Sequence, residues 1–357
     1  MATAQSHHLQ APPLTRSLDA AERRVSPSTP PPPLIQRLLA STDVRVNGDR
    51  PWDIQVHDPS VYRRALRDGS LGLGEAYMQG AWDSAQLDET FARLLRHDLD
   101  GALDNAAKLQ FAYQWVKDRL INRQSRARAF TVGERHYDIG NDVYRAMLDP
   151  TMSYSCGYWR AAATLEEAQL AKLDLTCRKL ALAPGQRLLD IGCGWDGLAA
   201  HAAEHYGVEV VGVTVSRRQA ELAAERCRDL PVDIRLMDYR EVPETVGGRF
   251  ERIVSIGMFE HVGVRNYPAY FDVARRVLTD DGLLLLHTIG NSTTSTVTDA
   301  WTDTYIFPNG KIPSALEITR ALEGRFLVED WHNFGADYDP TLMAWWQRFD
   351  AAWPELR

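Results

Sequence analysis

The chain has 357 residues, of which 45% are hydrophobic, 25% charged and 9% aromatic, which excludes collagen-like and wholly disordered classes. Its formal net charge is -8, and residues 1–133 carry 17 Lys/Arg against 15 Asp/Glu while the remainder carries 23 against 33. Because the larger part of the chain is acidic, we do not expect a nucleic-acid partner.

The compartment is predicted from what the sequence lacks. No run approaches the roughly 18 consecutive apolar residues of a spanning helix. The N-terminus has no signal-peptide pattern, so we expect a cytoplasmic location. The four cysteines contain no CxxC pair, which indicates reduced thiols rather than a disulfide framework or a metal site. They are Cys156, Cys177, Cys193 and Cys227.

The N-terminal part is predicted to be a tail followed by a small domain. Residues 1–33 are rich in Ala, Ser, Thr and Pro, which predicts a disordered tail. Residues 34–108 form a smaller domain, expected to be α+β and mostly helical, with a strand at Trp52–Val56. Glycines at 69–74 are expected to separate short elements. The apolar face of a predicted helix comprises Leu87, Phe91, Leu94 and Leu95.

A basic amphipathic helix is predicted between the two domains, over residues 109–133. Its positive charges are Lys117, Arg119, Arg123, Arg126 and Arg128. Such a helix suits an anionic lipid surface, where each Lys or Arg adds about 1 kcal/mol. A solvated linker helix explains the same pattern, and the segment alone does not separate the two.

The catalytic domain is predicted over residues 134–357, where helices and strands alternate from about Leu165. This alternation predicts an α/β fold with a doubly wound parallel sheet. The predicted strands are Arg187–Ile191, Val208–Val213, Asp233–Met237, Arg252–Ser255 and Gly282–Thr288.

A glycine-rich turn follows the first of these strands. Asp190 precedes Gly192 and Gly194, whereas a nicotinamide site would place its carboxylate at the end of the next strand. The order Asp-Ile-Gly-Cys-Gly is the pattern of class I S-adenosylmethionine (SAM) methyltransferases, which have a Rossmann-like fold. A purely structural glycine turn is the alternative. On the SAM interpretation, the glycines admit the amino-acid end of the cofactor. The ribose and adenine are assigned to Thr214, Gln219, Asp238 and Tyr239.

Six further strings occur in order along the chain: His136–Asp142, Tyr154–Trp159, Gly257–Gly263, Leu286–Gly290, Tyr305–Gly310 and Asp330–Tyr338. With the glycine turn, they resemble the cyclopropane-fatty-acyl-phospholipid synthase family, which includes mycolic acid cyclopropane synthases. The resemblance extends from about Trp52 to the last residue. It implies an enzyme that transfers a methylene group from SAM to the cis double bond of an unsaturated acyl chain in a membrane phospholipid.

The resemblance also implies a site and partners. A bicarbonate ion serves as general base, held by Cys156, Glu260, His287, the main chain of Ile289, and Tyr338. The SAM pocket also includes Tyr137, Tyr154 and Ser155. A homodimer bound peripherally at the inner face of the membrane is expected, with no metal.

The chain departs from the family pattern at two places. Asp196 replaces a usual glycine, which adds a carboxylate at the cofactor turn. The family continues beyond the point equivalent to Arg357, so we expect this chain to be impaired in turnover. Two other functions stay open: SAM-dependent methyl-branching or methylenation of the same acyl chains, and a non-catalytic SAM- or lipid-binding paralogue.

Overall fold

The structure is a computed structural model that describes residues 30–97, 140–295 and 298–356. Residues 1–29 of the tail predicted at 1–33, and the whole linker helix predicted at 109–133, lie outside these ranges and stay predictions. The chain divides into two compact units, Met1–Leu103 and Asp104–Arg357. None of the helices in the described ranges has the length and apolar content needed to cross a bilayer.

The N-terminal unit, within residues 30–97, combines helices with a short antiparallel ribbon. The ribbon pairs β1 (Gln55–Val56) with β2 (Trp82–Asp83). The helices are α1 (Pro33–Ala40), α2 (Ser60–Met78) and α3 (Leu87–Leu95). Trp82 is central to the core, since it is buried and donates from Nε1 to the Leu73 carbonyl at 2.9 Å.

The prediction that the glycines at 69–74 separate short elements is confirmed at Gly69, whose non-helical backbone divides α2 into two helical segments, and is wrong at Gly72 and Gly74, which lie within the second segment. Gly69 has φ +57°, which kinks the helix. At Gly72 a Cβ would lie 2.3 Å from the carbonyl oxygen of Arg64. Gly69 therefore allows the break between the two segments, and Gly72 allows the second segment to approach the backbone of the first closely.

Two other predictions for this unit hold only in part. Of the strand predicted at Trp52–Val56, Gln55–Val56 pairs with β2 and Ile54 forms an isolated bridge with Val46. Trp52 instead contacts the guanidinium of Arg93, which lies 4.0 Å from the ring centre. In α3, Leu94 is buried whereas Leu95 is 79% exposed. Consecutive residues point about 100° apart around a helix, so the two leucines cannot share one narrow face.

The C-terminal unit alternates helices and strands, as predicted. Its strands are β3 (Arg187–Ile191), β4 (Glu209–Thr214), β5 (Val232–Leu236), β6 (Phe250–Ile256) and β7 (Leu278–His287). Its helices are α4 (Asn141–Met147), α5 (Leu165–Lys179), α6 (Gly197–Tyr206), α7 (Arg217–Arg226), α8 (Val242–Thr245), α9 (Tyr267–Val277), α10 (Ala315–Leu322) and α11 (Tyr338–Leu356).

The five strands form one parallel sheet in the order β5-β4-β3-β6-β7. Alternate residues of β3 enter two different cores, because successive side chains of a strand point to opposite faces. Leu188 packs with residues of α5 and α6, whereas Leu189 and Ile191 pack with residues of α9 and α10. The sheet is therefore covered on both faces, which confirms the doubly wound α/β prediction.

The sheet order brings the predicted site residues to one edge. In doubly wound folds, ligands bind outside the carboxyl ends of the parallel strands. The ends of the five strands are followed by, or contain, Gly192, Thr214, Asp238, Glu260 and His287.

Candidate active site

The turn after β3 requires glycine for steric reasons. Gly192 and Gly194 have φ of +86° and +61°, in the left-handed region. A Cβ on Gly192 would lie 2.6 Å from the Cβ of Met258, whereas one on Gly194 would meet nothing within 4 Å. The turn therefore packs tightly against the β6 side and leaves the backbone of Gly194 beside open space.

That open space is a cavity of about 180 Å³ at the carboxyl edge of the sheet. Tyr137 lies outside the described residues. The other nine predicted cofactor residues all line the cavity: Tyr154, Ser155, Asp190, Gly192, Gly194, Thr214, Gln219, Asp238 and Tyr239. The tertiary structure thus collects these nine residues from the carboxyl ends of three strands, β3, β4 and β5, and from the segment before α5.

Hydrogen bonds hold the residues at the end of β4 in place. Thr214 Oγ1 donates to Gln219 Oε1 at 2.9 Å and accepts from the Ser216 N–H at 3.2 Å. The Ser216 side chain caps α7 by accepting from the Gln219 N–H. Since Oε1 of Gln219 is occupied, its amide N–H groups are the donors it can offer to a ligand.

The carboxylate of Asp238, after β5, is held by a neighbouring guanidinium. Arg240 donates from Nε and Nη2 to its two oxygens at 2.7 and 2.6 Å. The adjacent Tyr239 ring packs against Tyr270, 5.3 Å between ring centres. A fixed carboxylate beside an aromatic face can recognise the hydroxyl and ring groups of a nucleoside.

Sequence reasoning missed Lys172, which also lines the cavity. Its side chain is buried in α5, and Nζ donates to Ser155 Oγ at 2.8 Å. Burial lowers the pKa of Lys172 to about 8, although the charges of Asp149, Cys156 and Asp190 act to raise it. Lys172 could have been identified from the sequence by its position on the stripe of α5 that is buried, which it shares with Leu165, Ala168, Gln169 and Thr176.

Glu260 lies in a short 3-10 turn, Phe259–His261, directly after β6. Its Oε1 accepts from the Ile289 N–H at 2.7 Å. Its Oε2 is buried and has no hydrogen-bond partner among the described residues. Burial raises the pKa of Glu260, although the Ile289 N–H and the Thr288 hydroxyl oppose the shift. Met258 and His261, on either side of Glu260, both line the cavity.

Cys156 and His287 are linked through Phe334, a second residue that sequence reasoning missed. The His287 ring stacks on Phe334, 5.2 Å between ring centres, and Cys156 Sγ lies 4.0 Å from the Phe334 carbonyl oxygen. Burial, then the charge of Lys172, lowers the pKa of His287 to about 4. Burial raises the pKa of Cys156 to about 11. Both side chains are therefore neutral N–H or S–H groups near pH 7.

Tyr338 begins α11 and completes the set. Burial raises the pKa of its hydroxyl, and the charges of Glu260, Cys156 and Tyr154 act on it in the same direction. Ile289 is bonded to Glu260, and Phe334 contacts both His287 and Cys156, while Tyr338 is related to these two groups by the charges of Glu260 and Cys156 that act on its pKa.

Asp196 does not line the cavity, although its place in the glycine turn suggested that it would. It adopts φ +73° and its side chain turns toward α7, where Cys227 Sγ lies 3.6 Å from Oδ2. Oδ1 is buried with no hydrogen-bond partner in the described ranges. Burial raises the pKa of Asp196 to about 7. The carboxyl group of Asp196 is therefore expected to affect the stability of the fold rather than cofactor binding.

Comparisons with known proteins identify the family of this chain. The family model for mycolic acid cyclopropane synthetase matches residues 124–357. A cyclopropane-fatty-acyl-phospholipid synthase of Escherichia coli (strain K12) is 51% identical over 323 residues, covering 90% of this chain and 83% of the relative.

Two solved structures are similar to this chain over part of its length. The cyclopropane synthase MmaA2 of Mycobacterium tuberculosis has a TM-score of 0.59 and 34% identity, covering 63% of this chain and 85% of that one. Mycolic acid cyclopropane synthase CmaA1, complexed with SAH and CTAB, has a TM-score of 0.57 and 36% identity, covering 62% and 83%. The predicted class I SAM-dependent methyltransferase fold is confirmed. The chain belongs to the cyclopropane synthase family of SAM-dependent methyltransferases.

Proposed function

We propose that this chain is a cyclopropane-fatty-acyl-phospholipid synthase, which transfers a methylene group from SAM to the cis double bond of an acyl chain in a membrane phospholipid. One observation carries the proposal. The buried carboxyl group of Glu260 has one oxygen fixed by Ile289, and its other oxygen has no partner in the described part of the chain. Glu260 itself does not line the cavity with the SAM-type glycine turn, but Met258 and His261, on either side of it in sequence, do.

The cavity fits SAM, which supplies an electrophilic methyl group on its sulfonium. Gly192 and Gly194 leave backbone open to the amino-acid end. Gln219, oriented by Thr214, donates to the ribose. Asp238 and Tyr239 meet the adenosine part, with the Asp238 oxygens fixed by Arg240. Tyr154, Ser155 and Asp190 complete the predicted set, to which Tyr137 belongs by the family pattern.

The base site fits a small oxyanion, and we propose bicarbonate. When bound, bicarbonate supplies the base for the proton that the transferred methyl group must lose. Neutral His287, the Cys156 thiol and the Tyr338 hydroxyl are its donors. The open Oε2 of Glu260 accepts from its hydroxyl. The main chain of Ile289 enters the proposal through Glu260, because its N–H donates to Oε1 at 2.7 Å and so orients the carboxyl group toward the ion.

Side chains of this protein stabilise the positive charge that develops during the reaction. An alkene that attacks a methyl group leaves positive charge on carbon, which a π face stabilises by about 0.5–2 kcal/mol. The rings of Tyr338 and Phe334 adjoin the base site. The carboxyl group of Glu260, whose pKa is raised by burial, adds an electrostatic contribution in its ionised form.

The proposal also includes membrane docking and the oligomeric state. Residues 34–108 and the basic segment at 109–133 are proposed to dock the protein peripherally at the inner face of the membrane, and the active form is proposed to be a homodimer. The charge of the segment supports docking. Vesicle sedimentation would test it: charge reversal of Arg123, Arg126 and Arg128 should weaken binding to anionic vesicles. Unchanged binding would contradict the assignment.

Fatty-acid profiling tests the reaction. The chain would be expressed in a bacterial host that lacks cyclopropane lipids, with the Glu260→Gln variant as the matched control. We expect unsaturated acyl chains to gain one CH2 and to resist hydrogenation. A product that is methyl-branched, or that takes up hydrogen as an exocyclic methylene does, would overturn ring closure. An unchanged profile with intact SAM binding would favour the non-catalytic paralogue.

A further inference from the structure

Two proposed donors of the base site lie on segments that are far apart in sequence. Cys156 lies in the segment before α5, and Tyr338 begins α11. A site that binds one small ion needs its donors held within about 0.5 Å of their productive positions. The contacts between these two segments therefore decide whether both donors can bind the same ion.

The hydroxyl of Thr341, one turn after Tyr338 on α11, joins the two segments. Its Oγ1 accepts from the Gly157 N–H at 3.1 Å and from the Trp159 Nε1–H at 2.8 Å, and it donates to the Asp337 carbonyl at 2.7 Å. A hydroxyl has one hydrogen and two lone pairs, so these three bonds use all of its hydrogen-bonding capacity. The side chain is fully buried, so water does not compete for the bonds.

The bonds of Thr341 lie directly beside the two donors. Gly157 follows Cys156 in the chain, and Asp337 precedes Tyr338. The carboxylate of Asp337 adds a further bond between the segments, because Oδ2 accepts from the backbone N–H next in line, that of residue 159, at 2.8 Å. A shift of α11 against the segment before α5 would therefore move one donor relative to the other.

The segments approach each other closely because residue 157 is glycine. A Cβ on Gly157 would lie 3.4 Å from Thr341 Oγ1, 3.2 Å from Trp159 Nε1 and 3.0 Å from the Cβ of Ala168. The two shorter distances are tighter than ordinary van der Waals contact. Sequence and packing thus agree on a close junction between the two segments at this point.

Other hydrogen bonds hold the segment before α5 to that helix. The Tyr158 N–H donates to the Ala168 carbonyl at 2.9 Å, and Gln169 Nε2 donates to the Ser155 carbonyl at 2.8 Å. These bonds do not involve α11. Loss of the Thr341 hydroxyl would therefore weaken the junction with α11 and leave the attachment to α5 in place.

We propose that Thr341 is a positioning residue, which holds Cys156 and Tyr338 at the separation that both need in order to bind bicarbonate. The inference rests on the proposed function, because it concerns donors of the proposed base site. Since the hydroxyl of Thr341 has no hydrogen-bonding capacity left for an ion, Thr341 acts through the two segments that it joins.

Two variants of Thr341 and one matched control test the inference. Thr341→Val removes the hydroxyl and keeps the shape of the side chain, whereas Thr341→Ser keeps the hydroxyl. The control is Thr176→Val, at a buried threonine of α5 whose hydroxyl donates within its own helix, to the Lys172 carbonyl at 2.8 Å. Turnover on vesicles of unsaturated phospholipid would be measured against sodium bicarbonate in CO2-depleted buffer, and SAH affinity by calorimetry.

We expect Thr341→Val to need about tenfold more bicarbonate for half-maximal turnover, with SAH affinity within about threefold of wild type. Thr341→Ser should restore most of the difference, and Thr176→Val should behave as wild type. An unchanged bicarbonate requirement in Thr341→Val would overturn the role of Thr341 alone. Wild-type turnover that does not depend on bicarbonate would overturn the proposed base, and the inference with it.

Alkylation of Cys156 gives a readout that needs no turnover. Iodoacetamide should label Cys156 in folded Thr341→Val at least about tenfold faster than in wild type, because a segment that has lost buried hydrogen bonds opens more often. Cys177, on α5, should stay protected in both proteins. Equal labelling of Cys156 in the two proteins would contradict the inference. A parallel rise at Cys177 would assign Thr341 to overall stability and would also overturn it.

Discussion

The Ile289 N–H donates to Glu260 Oε1 at 2.7 Å and joins the segment after β7 to the turn after β6. The bond orients the carboxyl group so that Oε2 stays buried without a partner in the described part of the chain. Burying such an oxygen is unfavourable, which indicates that a ligand completes its hydrogen bonding.

The Glu260→Gln variant should lose turnover while keeping its fold. The amide oxygen can still accept from Ile289, but an N–H2 group replaces the free acceptor. We expect turnover to fall by about 100-fold or more, with SAH affinity within about twofold and no loss of thermal stability. The control is Glu244→Gln, which disrupts an exposed ion pair with Arg276. Turnover near the wild-type level in Glu260→Gln would contradict the assignment.

Alanine variants of two glycines distinguish the effect of backbone strain on stability from the effect of the glycine turn on cofactor binding. Gly194 and Gly185 both have positive φ, +61° and +82°, and a Cβ on either would meet nothing within 4 Å. Alanine at each should lower the free energy of unfolding by about 1 kcal/mol. Only Gly194→Ala should weaken SAH binding, by about tenfold, since Gly194 lines the cavity. Equal SAH affinities in the two variants would show that the turn does not contact the cofactor.

Asp196 should make stability depend on pH. Its pKa is raised from 3.8 to about 7 in the folded protein, so the folded state keeps the proton up to a higher pH than the unfolded state does. Stability therefore falls as pH rises from about 4 to 7 and stays reduced above that range. Asp196→Asn removes the charge, so its free energy of unfolding should exceed that of wild type. This excess should be on the order of 2 kcal/mol larger at pH 8 than at pH 5.

Asp196→Gly extends this comparison. It should show the same pH-dependent gain and a further gain of about 1 kcal/mol at every pH, because glycine adopts φ +73° without strain. Chemical unfolding at the two pH values measures both variants. Parallel stability curves for wild type and Asp196→Asn would contradict the raised pKa.

The four cysteines should resist alkylation in the folded protein. All are buried free thiols, and burial raises the pKa of Cys156 to about 11 and those of Cys177 and Cys227 to about 12. The thiolate is the reactive form, so at pH 8 only about one Cys156 in a thousand is reactive. Iodoacetamide with mass-spectrometric readout should label them only after unfolding. Rapid labelling of native Cys156 would show that it is ionised.

The sequence by itself determined the local features of this protein. The Asp190 to Gly194 turn was predictable because a strand, a turn and a helix are adjacent in sequence and their residue types follow local backbone geometry. The five strands were predictable for the same reason, as was the family, whose motifs are short strings. The predicted roles of Cys156, His287 and Tyr338 stay proposals.

Only the tertiary structure decided which groups share an environment. Lys172 lies on a helical stripe that looks like ordinary core until β3 and the Ser155 segment enclose it. Asp196 turns away from the cavity because α7 lies behind the turn. The pairing of Glu260 with Ile289 joins positions far apart in sequence. Burial and charge balance depend on such long-range contacts, and periodicity along a single chain does not contain them.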